Sequence, residues 1–259
     1  MNENQRPREG SSAQQGEHYD RILEAYDEHY FDAASEAYRR EFILDPLLAD
    51  VDLRGKRVAD LASGSGHTTL ELMRRFPGVV VDGYDISPEA CAQYTKNTGR
   101  PSYIADLTKG YDGEHQYDAA IVIGGLHHCV VDLPAALGSI AAMLKPGGSL
   151  LMFEPNGKFA LQSLRRVWYR LDRYFDADTE AALVHDELLA LADGAFTCQR
   201  VRHFGGPAFF LVLNSLVFRI PLGLKRVIAG PLTQLERGYN RLPGRVAFSS
   251  FTAHWRRAT

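Results

Sequence analysis

The spacing of apolar positions changes along the chain. From 19 to 50 they recur three or four residues apart, which predicts helices. From 57 to 154 short apolar runs alternate with amphipathic stretches, which predicts a parallel sheet with helices on both faces. The predicted strands are 58–62, 79–85, 102–105, 117–123 and 149–154, and the predicted helices are 67–76, a helix that starts at Ser87, and 133–144.

The last hundred residues are less regular. We expect helices at 160–175 and 178–191, a strand at 197–204, and a final antiparallel strand at 245–255. Between these two strands, 207–242 is apolar and predicted to be helical, with breaks at Pro221 and Pro231. Segments 160–191 and 207–242 thus carry the least regular patterns in the chain.

The fold class expected is α/β, a Rossmann-like, mostly parallel seven-stranded sheet with helices on both faces. An N-terminal helical cap and a helical insertion before the last strand should cover the active-site edge. The predicted organisation is a disordered lead (1–16), the cap (17–50), the core (51–206), a helical lid (207–242) and the final core strand (243–259).

Composition narrows the class of protein. Hydrophobic residues make up 45% and charged residues 24% of the chain, with a formal net charge of −3, which suits a globular protein and argues against a nucleic-acid partner. Three well-separated cysteines predict neither a disulfide framework nor a metal site. The polar N-terminus lacks the apolar core of a signal peptide, and no apolar run reaches about 18 residues, so we expect a cytoplasmic protein without a membrane span.

A glycine-rich turn follows the first predicted strand, from Asp60 to Gly66. Glycines let the backbone approach a ligand, and the following helix presents free N–H groups and a partial positive charge. A dinucleotide-binding turn would need a third glycine near Thr69, which is absent, and Asp60 would repel a pyrophosphate. The pattern therefore favours an amino-acid-like cofactor, although an ordinary strand–helix turn remains an alternative.

Two further acids lie at strand ends. Asp85 ends the second strand, where a carboxylate can bind both hydroxyls of a ribose. Asp106 follows the third strand, where a carboxylate could accept from an adenine amino group. The alternatives are a helix cap before Pro88 for Asp85 and a solvated loop acid for Asp106.

At these residues the chain resembles the class I S-adenosylmethionine-dependent methyltransferases of the small-molecule type. The family's acid-and-glycine pattern reads Asp60-x-Ala62-x-Gly64-x-Gly66 here, with Ala62 in place of the usual first glycine. The resemblance extends over roughly 51–156 and includes the segments 84–87, 105–107, 117–118 and 144–148.

The resemblance implies S-adenosylmethionine as cofactor and a role for each matched position. Asp60 and the turn would hold the methionine part, Asp85 the ribose, and Ile86 the adenine face. Asp106 and Leu107 would hold the adenine edge, and 124–127 would line the pocket beside the sulfonium. The cofactor-binding residues expected are Tyr19 (as an aromatic cap), Asp60, Ala62, Ser63, Gly64, Gly66, Asp85, Ile86, Asp106, Leu107 and Gly124.

Candidate catalytic residues follow strands four and five. His127 or His128 could act as a general base, since an ordinary histidine pKa near 6.5 suits that role, or the pair could only shape the pocket. Glu154 could orient or deprotonate the acceptor and Asn156 could bind it, unless both merely cap the strand end. No third ligand with recognisable spacing accompanies the histidines, so no metal site is expected.

The acceptor is expected to contact Tyr30 of the cap, His128, Asn156 and Phe210 of the insertion. The apolar insertion could be a packed lid, an apolar acceptor pocket or a contact with a membrane surface or lipid. The function predicted is methyl transfer to oxygen or nitrogen of a small, fairly apolar metabolite, such as a natural product or a sugar-bearing or lipid-like acceptor. The alternatives are a cofactor-binding member that catalyses another reaction, such as a cyclisation, and a non-catalytic binding protein.

Overall fold

The computed structural model describes residues 29–113, 116–162 and 181–259. The predicted lead at 1–16, Tyr19 and most of the helix predicted at 160–175 lie outside these ranges. Among the described residues, no helix is long and apolar enough to cross a membrane.

A seven-stranded sheet forms the centre of the protein, in the order β3-β2-β1-β4-β5-β7-β6. Strands β1 to β5 pair in parallel, and β7 is antiparallel to both of its neighbours. The predicted mostly parallel Rossmann-like sheet is confirmed. The strands are β1 Arg57–Leu61, β2 Val80–Asp85, β3 Ser102–Ile104, β4 Tyr117–Ile123, β5 Leu144–Pro155, β6 Phe196–Phe204 and β7 Ser250–Arg257.

Seven α-helices are described, together with short π- and 3₁₀-helical turns. The α-helices are α1 Ala33–Tyr38, α2 Asp45–Leu48, α3 His67–Arg75, α4 Pro88–Thr98, α5 Leu133–Met143, α6 His185–Leu191 and α7 Leu222–Tyr239. The π-helical turns are Arg39–Leu44 and Phe209–Leu213, and the 3₁₀ turns are Leu107–Lys109 and Leu126–His128.

The central strands are apolar on both faces because each face of the sheet is covered. Val58, Val81 and Ile121 belong to one core cluster with the N-terminal helices and the insertion. Ala59 and Val122 belong to the opposite cluster with α5, α6 and the end of β7. Successive side chains of a strand point to opposite faces, so continuous apolar runs are what a doubly covered parallel sheet requires.

The direction in which successive strands are added across the sheet reverses between β1 and β4. The chain runs outward from β1 through β2 to β3 and then returns to β4 on the other side of β1. Loops from the carboxyl ends of β1 and β4 therefore separate at this point and leave a crevice, which is where open α/β sheets bind ligands.

Several predicted element boundaries are corrected by the structure. The final strand begins at Ser250, not at 245, and the helix predicted from 178 begins at His185, because Leu183 pairs with Asn156 as an isolated bridge. Strand β5 includes the predicted turn at 146–148, with an irregular register against β4. Pro231 lies inside α7 rather than breaking it, and its ring is exposed, so water can serve the Val227 carbonyl that lacks a helical donor.

The described part of the cap, residues 29–48, packs against the insertion through two buried charged side chains of α7. Lys225 Nζ lies 2.6 Å from Asp32 Oδ1 and donates to Ser35 Oγ at 2.7 Å. Glu236 accepts from the Tyr38 hydroxyl at 2.8 Å. Both charged residues are 0% exposed. The cap and the insertion are thus joined by polar contacts to two fully buried charged side chains.

Replacing Glu236 with leucine should lower the free energy of unfolding by about 3 kcal/mol or more, since each buried donor left unsatisfied costs about 1–3 kcal/mol. The carboxylate accepts from the Tyr38 hydroxyl and from the backbone N–H groups of Gly206 and Ala208. Urea unfolding followed by circular dichroism measures the change. Glu187→Leu, which changes an exposed residue of α6, is the matched control. An equal loss of unfolding free energy in both variants would contradict the burial argument.

Candidate cofactor and active site

The glycine-rich turn connects β1 to α3 through three residues in the left-handed region. Ala62, Gly64 and Gly66 have φ values of 50°, 52° and 90°. A Cβ at Gly66 would come within 2.5 Å of the Thr98 methyl group, so this glycine is required by α4. A Cβ at Gly64 would meet nothing within 4 Å, because this residue faces open space. The turn therefore presents bare backbone to the crevice and carries the cost of an alanine with positive φ at position 62.

Asp85 holds this turn in place from the end of β2. Its Oδ2 accepts from the Gly64 N–H at 2.8 Å and its Oδ1 from the Ser87 N–H at 3.0 Å. The α4 cap is made instead by Ser87, whose hydroxyl accepts from Ala90 N–H. Asp85 also lines the cavity beside this turn.

The crevice is a cavity of about 1230 Å³ with its open mouth included, lined by residues at the carboxyl ends of β1, β2 and β4. Nine residues predicted from the sequence line it: Ala62, Ser63, Gly64, Asp85, Ile86, Asp106, Leu107, Gly124 and His128.

Asp106 occupies the far side of the cavity from the glycine-rich turn. Its Oδ1 accepts from Thr108, from the N–H at 3.0 Å and from the hydroxyl at 2.6 Å. Leu107 is held by its carbonyl, which accepts from the Ser139 hydroxyl at 2.7 Å. The cavity thus has one carboxylate near the middle and another at this end.

Glu154, His127 and His128 form a line that ends at the cavity. Glu154 is 0% exposed and accepts from the backbone N–H groups of Gly125, Leu126 and His127. Its Oε2 lies 2.8 Å from His127 Nδ1. The His127 and His128 rings are 3.9 Å apart between centroids, and His128 lines the cavity.

Burial raises the pKa of Glu154 to about 8, and the three backbone N–H groups oppose that rise. The protonated form of the Glu154 carboxyl is therefore favoured at physiological pH. Glu154 lies beneath the loop rather than on the cavity wall, so the structure places it as a support for the loop that follows β4.

Asp60 lies behind the glycine-rich turn and does not line the cavity. It is 2% exposed, and its Oδ2 accepts from the Thr69 hydroxyl at 2.7 Å. Burial raises the pKa of this carboxyl to about 7, and the Thr69 hydroxyl opposes the rise. The acid of the family pattern thus supports the start of α3 from inside the protein.

The raised pKa of Asp60 predicts a pH-dependent stability. The folded protein holds a proton at Asp60 up to about pH 7, whereas the unfolded chain releases it near its ordinary pKa of 3.8. The contribution is therefore fully present below pH 3.8 and is lost as the pH rises through about 7, at about 1.4 kcal/mol per pKa unit. Asp60→Asn should flatten the decline in unfolding free energy between pH 4 and about pH 7, measured in urea; an unchanged slope would contradict it.

Three predicted acceptor-binding residues are engaged elsewhere. Asn156 is buried and donates to the carbonyls of Arg245 and Phe248, so its amide serves the loop before β7. The Tyr30 hydroxyl donates to Asn214 at 2.9 Å between cap and insertion. The Phe210 ring stacks on Phe159 at 5.8 Å. In the described chain, no residue of 207–242 lines the cavity, because the insertion packs on the cap instead.

Phe31, Arg39 and His67 are among the lining residues that sequence reasoning missed. The Phe31 and His67 rings stack at 3.6 Å with an interplanar angle of 7°, and the Arg39 guanidinium lies 4.7 Å from the Phe31 ring centroid. Burial lowers the pKa of His67 to about 4, with Arg39 contributing, so this ring is neutral at physiological pH. His67 could have been found as the first residue of the helix after Gly66, whereas no signal in the sequence identifies Arg39 or Phe31.

The sheet order and the cavity at its switch point define a Rossmann-like protein whose cavity lies where open α/β sheets bind ligands. The sequence model of the Methyltransferase domain family matches residues 26–186, which is more than half of the chain. The chain belongs to the class I S-adenosylmethionine-dependent methyltransferases, and S-adenosylmethionine is the cofactor of that family.

Curated relatives are similar in sequence to this chain over part of their length. Demethylmenaquinone methyltransferase of Thermus thermophilus is 32% identical over 124 residues, which are 44% of this chain and 55% of that protein. Trans-aconitate 2-methyltransferase of a Mycobacterium species is 31% identical over 131 residues, 51% of this chain and 48% of that protein. The chain therefore spans about half the length of the curated relatives it matches.

Solved structures share the fold over nearly the whole chain. The [4+2]-cyclase SpnF superposes with a TM-score of 0.66 at 16% identity and covers 96% of this chain and 97% of its own. The N-methyltransferase NodS of Bradyrhizobium japonicum, solved with S-adenosyl-L-homocysteine, gives a TM-score of 0.57 at 12% identity and covers 93% and 99%. At these identities the likeness shows the fold alone.

Proposed function

We propose that this chain transfers a methyl group from S-adenosylmethionine to oxygen or nitrogen of a small, fairly apolar metabolite. The observation that carries the proposal is a single cavity that brings together bare backbone at Gly64, carboxylates at Asp85 and Asp106, and the imidazole of His128. The names of the curated relatives support a small acceptor, since they include demethylmenaquinone and trans-aconitate enzymes.

The residues present fit the cofactor. Ser63 Oγ is buried at the turn without a hydrogen-bond partner among the described residues, as a group that awaits a ligand would be. Asp85 would hold the ribose hydroxyls, and Asp106 with Leu107 would hold the adenine edge. Arg39 and the N-terminus of α3 offer positive charge on the turn side, where the amino-acid carboxylate would be held.

S-adenosylmethionine, when bound, supplies a methyl group already activated by its sulfonium leaving group. The protein therefore has to align the acceptor, exclude water and, where the acceptor carries a proton, remove it. His128 is the candidate base because it lines the cavity, and His127 with Glu154 positions it. Burial raises the pKa of Cys129 to about 12, so this neighbouring thiol stays protonated at physiological pH.

A chain of aromatic rings starts beneath Gly124, at one side of the cavity, and supports the proposal of an apolar acceptor. A Cβ at Gly124 would lie 3.9 Å from the Phe153 ring. Phe153 contacts Phe209 at 6.4 Å between centroids, and Phe209 contacts Phe210 at 5.3 Å. We propose that an apolar acceptor lies between this side and His128.

Transfer of isotope-labelled methyl groups tests the proposal. The protein is incubated with S-adenosylmethionine labelled in the methyl group and with a panel of apolar phenols, amines and carboxylates. We expect label in at least one product, together with stoichiometric S-adenosylhomocysteine. Conversion of an acceptor without incorporation of label would overturn methyl transfer and favour a cyclase-type reaction, and tight binding of S-adenosylhomocysteine without turnover of any compound would favour a binding protein.

A further inference from the structure

Helix α7 presents an exposed apolar face. Leu224, Val227, Pro231 and Leu235 follow one another at i, i+3, i+7 and i+11, which places them on one side of an α-helix. Leu224, Val227 and Leu235 are 49%, 74% and 55% exposed. The face opposite the cap is therefore a protruding apolar ridge of branched side chains, although the helix already has a buried side made by Lys225 and Glu236.

Arginines lie alongside this ridge. Arg226, Arg237 and Arg241 are exposed and fall together on a third side of the helix or just beyond its end. Arg237 pairs with Glu41 of the cap at 2.6 Å, whereas in the described part of the chain no carboxylate lies within ion-pair distance of Arg226 or Arg241. The helix contains one acid, Glu236, and that acid is buried, so its exposed surface is apolar and positive.

We propose that α7 docks on the surface of an anionic phospholipid bilayer. Amphipathic helices that lie at a bilayer surface combine an apolar face with adjacent basic side chains. The helix has 18 residues and a length of roughly 27 Å, so Leu224 and Leu235 lie roughly 16 Å apart along it and can enter the acyl boundary together.

The shape of the ridge favours lipid over a folded partner. Val227, the most exposed of the three side chains, projects from the convex surface of the helix. Acyl chains can surround such a projection, whereas a protein would need a complementary recess. The proposal does not depend on methyl transfer, because it rests on surface residues outside the cavity.

Vesicle flotation of the full chain tests the proposal. We expect binding to phosphatidylcholine vesicles that contain phosphatidylglycerol, weak binding to phosphatidylcholine alone, and release at about 1 M salt, where the Debye length is about 3 Å. The triple variant Leu224→Gln, Val227→Gln, Leu235→Gln should lose about tenfold or more of its vesicle binding. Arg226→Gln with Arg241→Gln should lose about tenfold as well.

The matched control removes exposed apolar side chains elsewhere. Leu191→Gln with Val201→Gln changes residues that are 43% and 37% exposed on α6 and β6 and should leave vesicle binding unchanged. Circular dichroism confirms that each variant is folded. Absence of binding to anionic vesicles by the native chain, or equal binding by the triple variant, would overturn the proposal. A native dimer that the triple variant converts to monomers, without vesicle binding, would assign the ridge to a second copy instead.

Discussion

Replacing Asp85 with asparagine should weaken the binding of S-adenosylhomocysteine by about tenfold to a hundredfold, since a hydrogen bond to a charged group contributes about 1.5–3 kcal/mol. The substitution keeps the shape of the side chain and removes its charge. It affects the site twice, because the carboxylate is the expected partner of the ribose and also accepts from the Gly64 and Ser87 N–H groups. Isothermal titration calorimetry measures the affinity.

Asp118→Asn is the matched control for this experiment. Asp118 also accepts from a backbone N–H, that of Arg57 at 2.9 Å, and from Lys145 at 2.8 Å. It lies at the amino end of β4, at the opposite edge of the sheet from the cavity. The control should bind S-adenosylhomocysteine as the native chain does. If Asp85→Asn also binds S-adenosylhomocysteine with native affinity, Asp85 does not belong to the cofactor site.

His128→Ala should lower kcat by about a hundredfold or more for an acceptor whose nucleophile carries a proton, because a positioned general base contributes about 10² to 10⁴ in rate. The affinity for S-adenosylhomocysteine should change little. For a carboxylate acceptor, which is already ionised, kcat should fall much less. The measurement is kcat and KM for both acceptor types over a pH series.

His127→Ala separates positioning from proton removal. His127 contacts the His128 ring and is hydrogen-bonded to Glu154, but it is not among the residues that line the cavity. Its loss should lower kcat less than the loss of His128 and should shift the pH profile without abolishing it. Equal rates and equal pH profiles for both variants and the native chain would exclude His128 as the general base.

The parts of the site that could be predicted from sequence are those that strand ends fix. Asp85 and Asp106 follow apolar runs, and parallel strands bring their carboxyl ends to one edge, so their arrival at the cavity could be anticipated from pattern alone. The placement of Asp60 could not, because the sequence does not reveal which side of the turn faces the crevice. Asp60 lies within β1, and its contact with Thr69 depends on α3 packing against that face of the strand.

The contributions of the cap and the insertion could not be predicted because they arise from tertiary contacts. Arg39 reaches the cavity from a π-helical turn, and its spacing in the sequence resembles that of any surface arginine. The apolar insertion suggested a lid over the acceptor, yet in the described chain it covers the cap and the adjacent face of the sheet. Apolar content shows that a segment is covered but not what covers it.

The buried pairing of Lys225 and Glu236 with the cap has a consequence for recombination between relatives. The two segments lie almost two hundred residues apart in the chain, yet each supplies the partners of the other's buried polar groups. A chimera that imports an insertion without its cap would enclose the Lys225 ammonium without Asp32 and Ser35, and the Glu236 carboxylate would lose the Tyr38 hydroxyl. An uncompensated buried charge costs several kcal/mol. Cap and insertion are therefore expected to be inherited and exchanged as one discontinuous module, while the sheet between them varies independently.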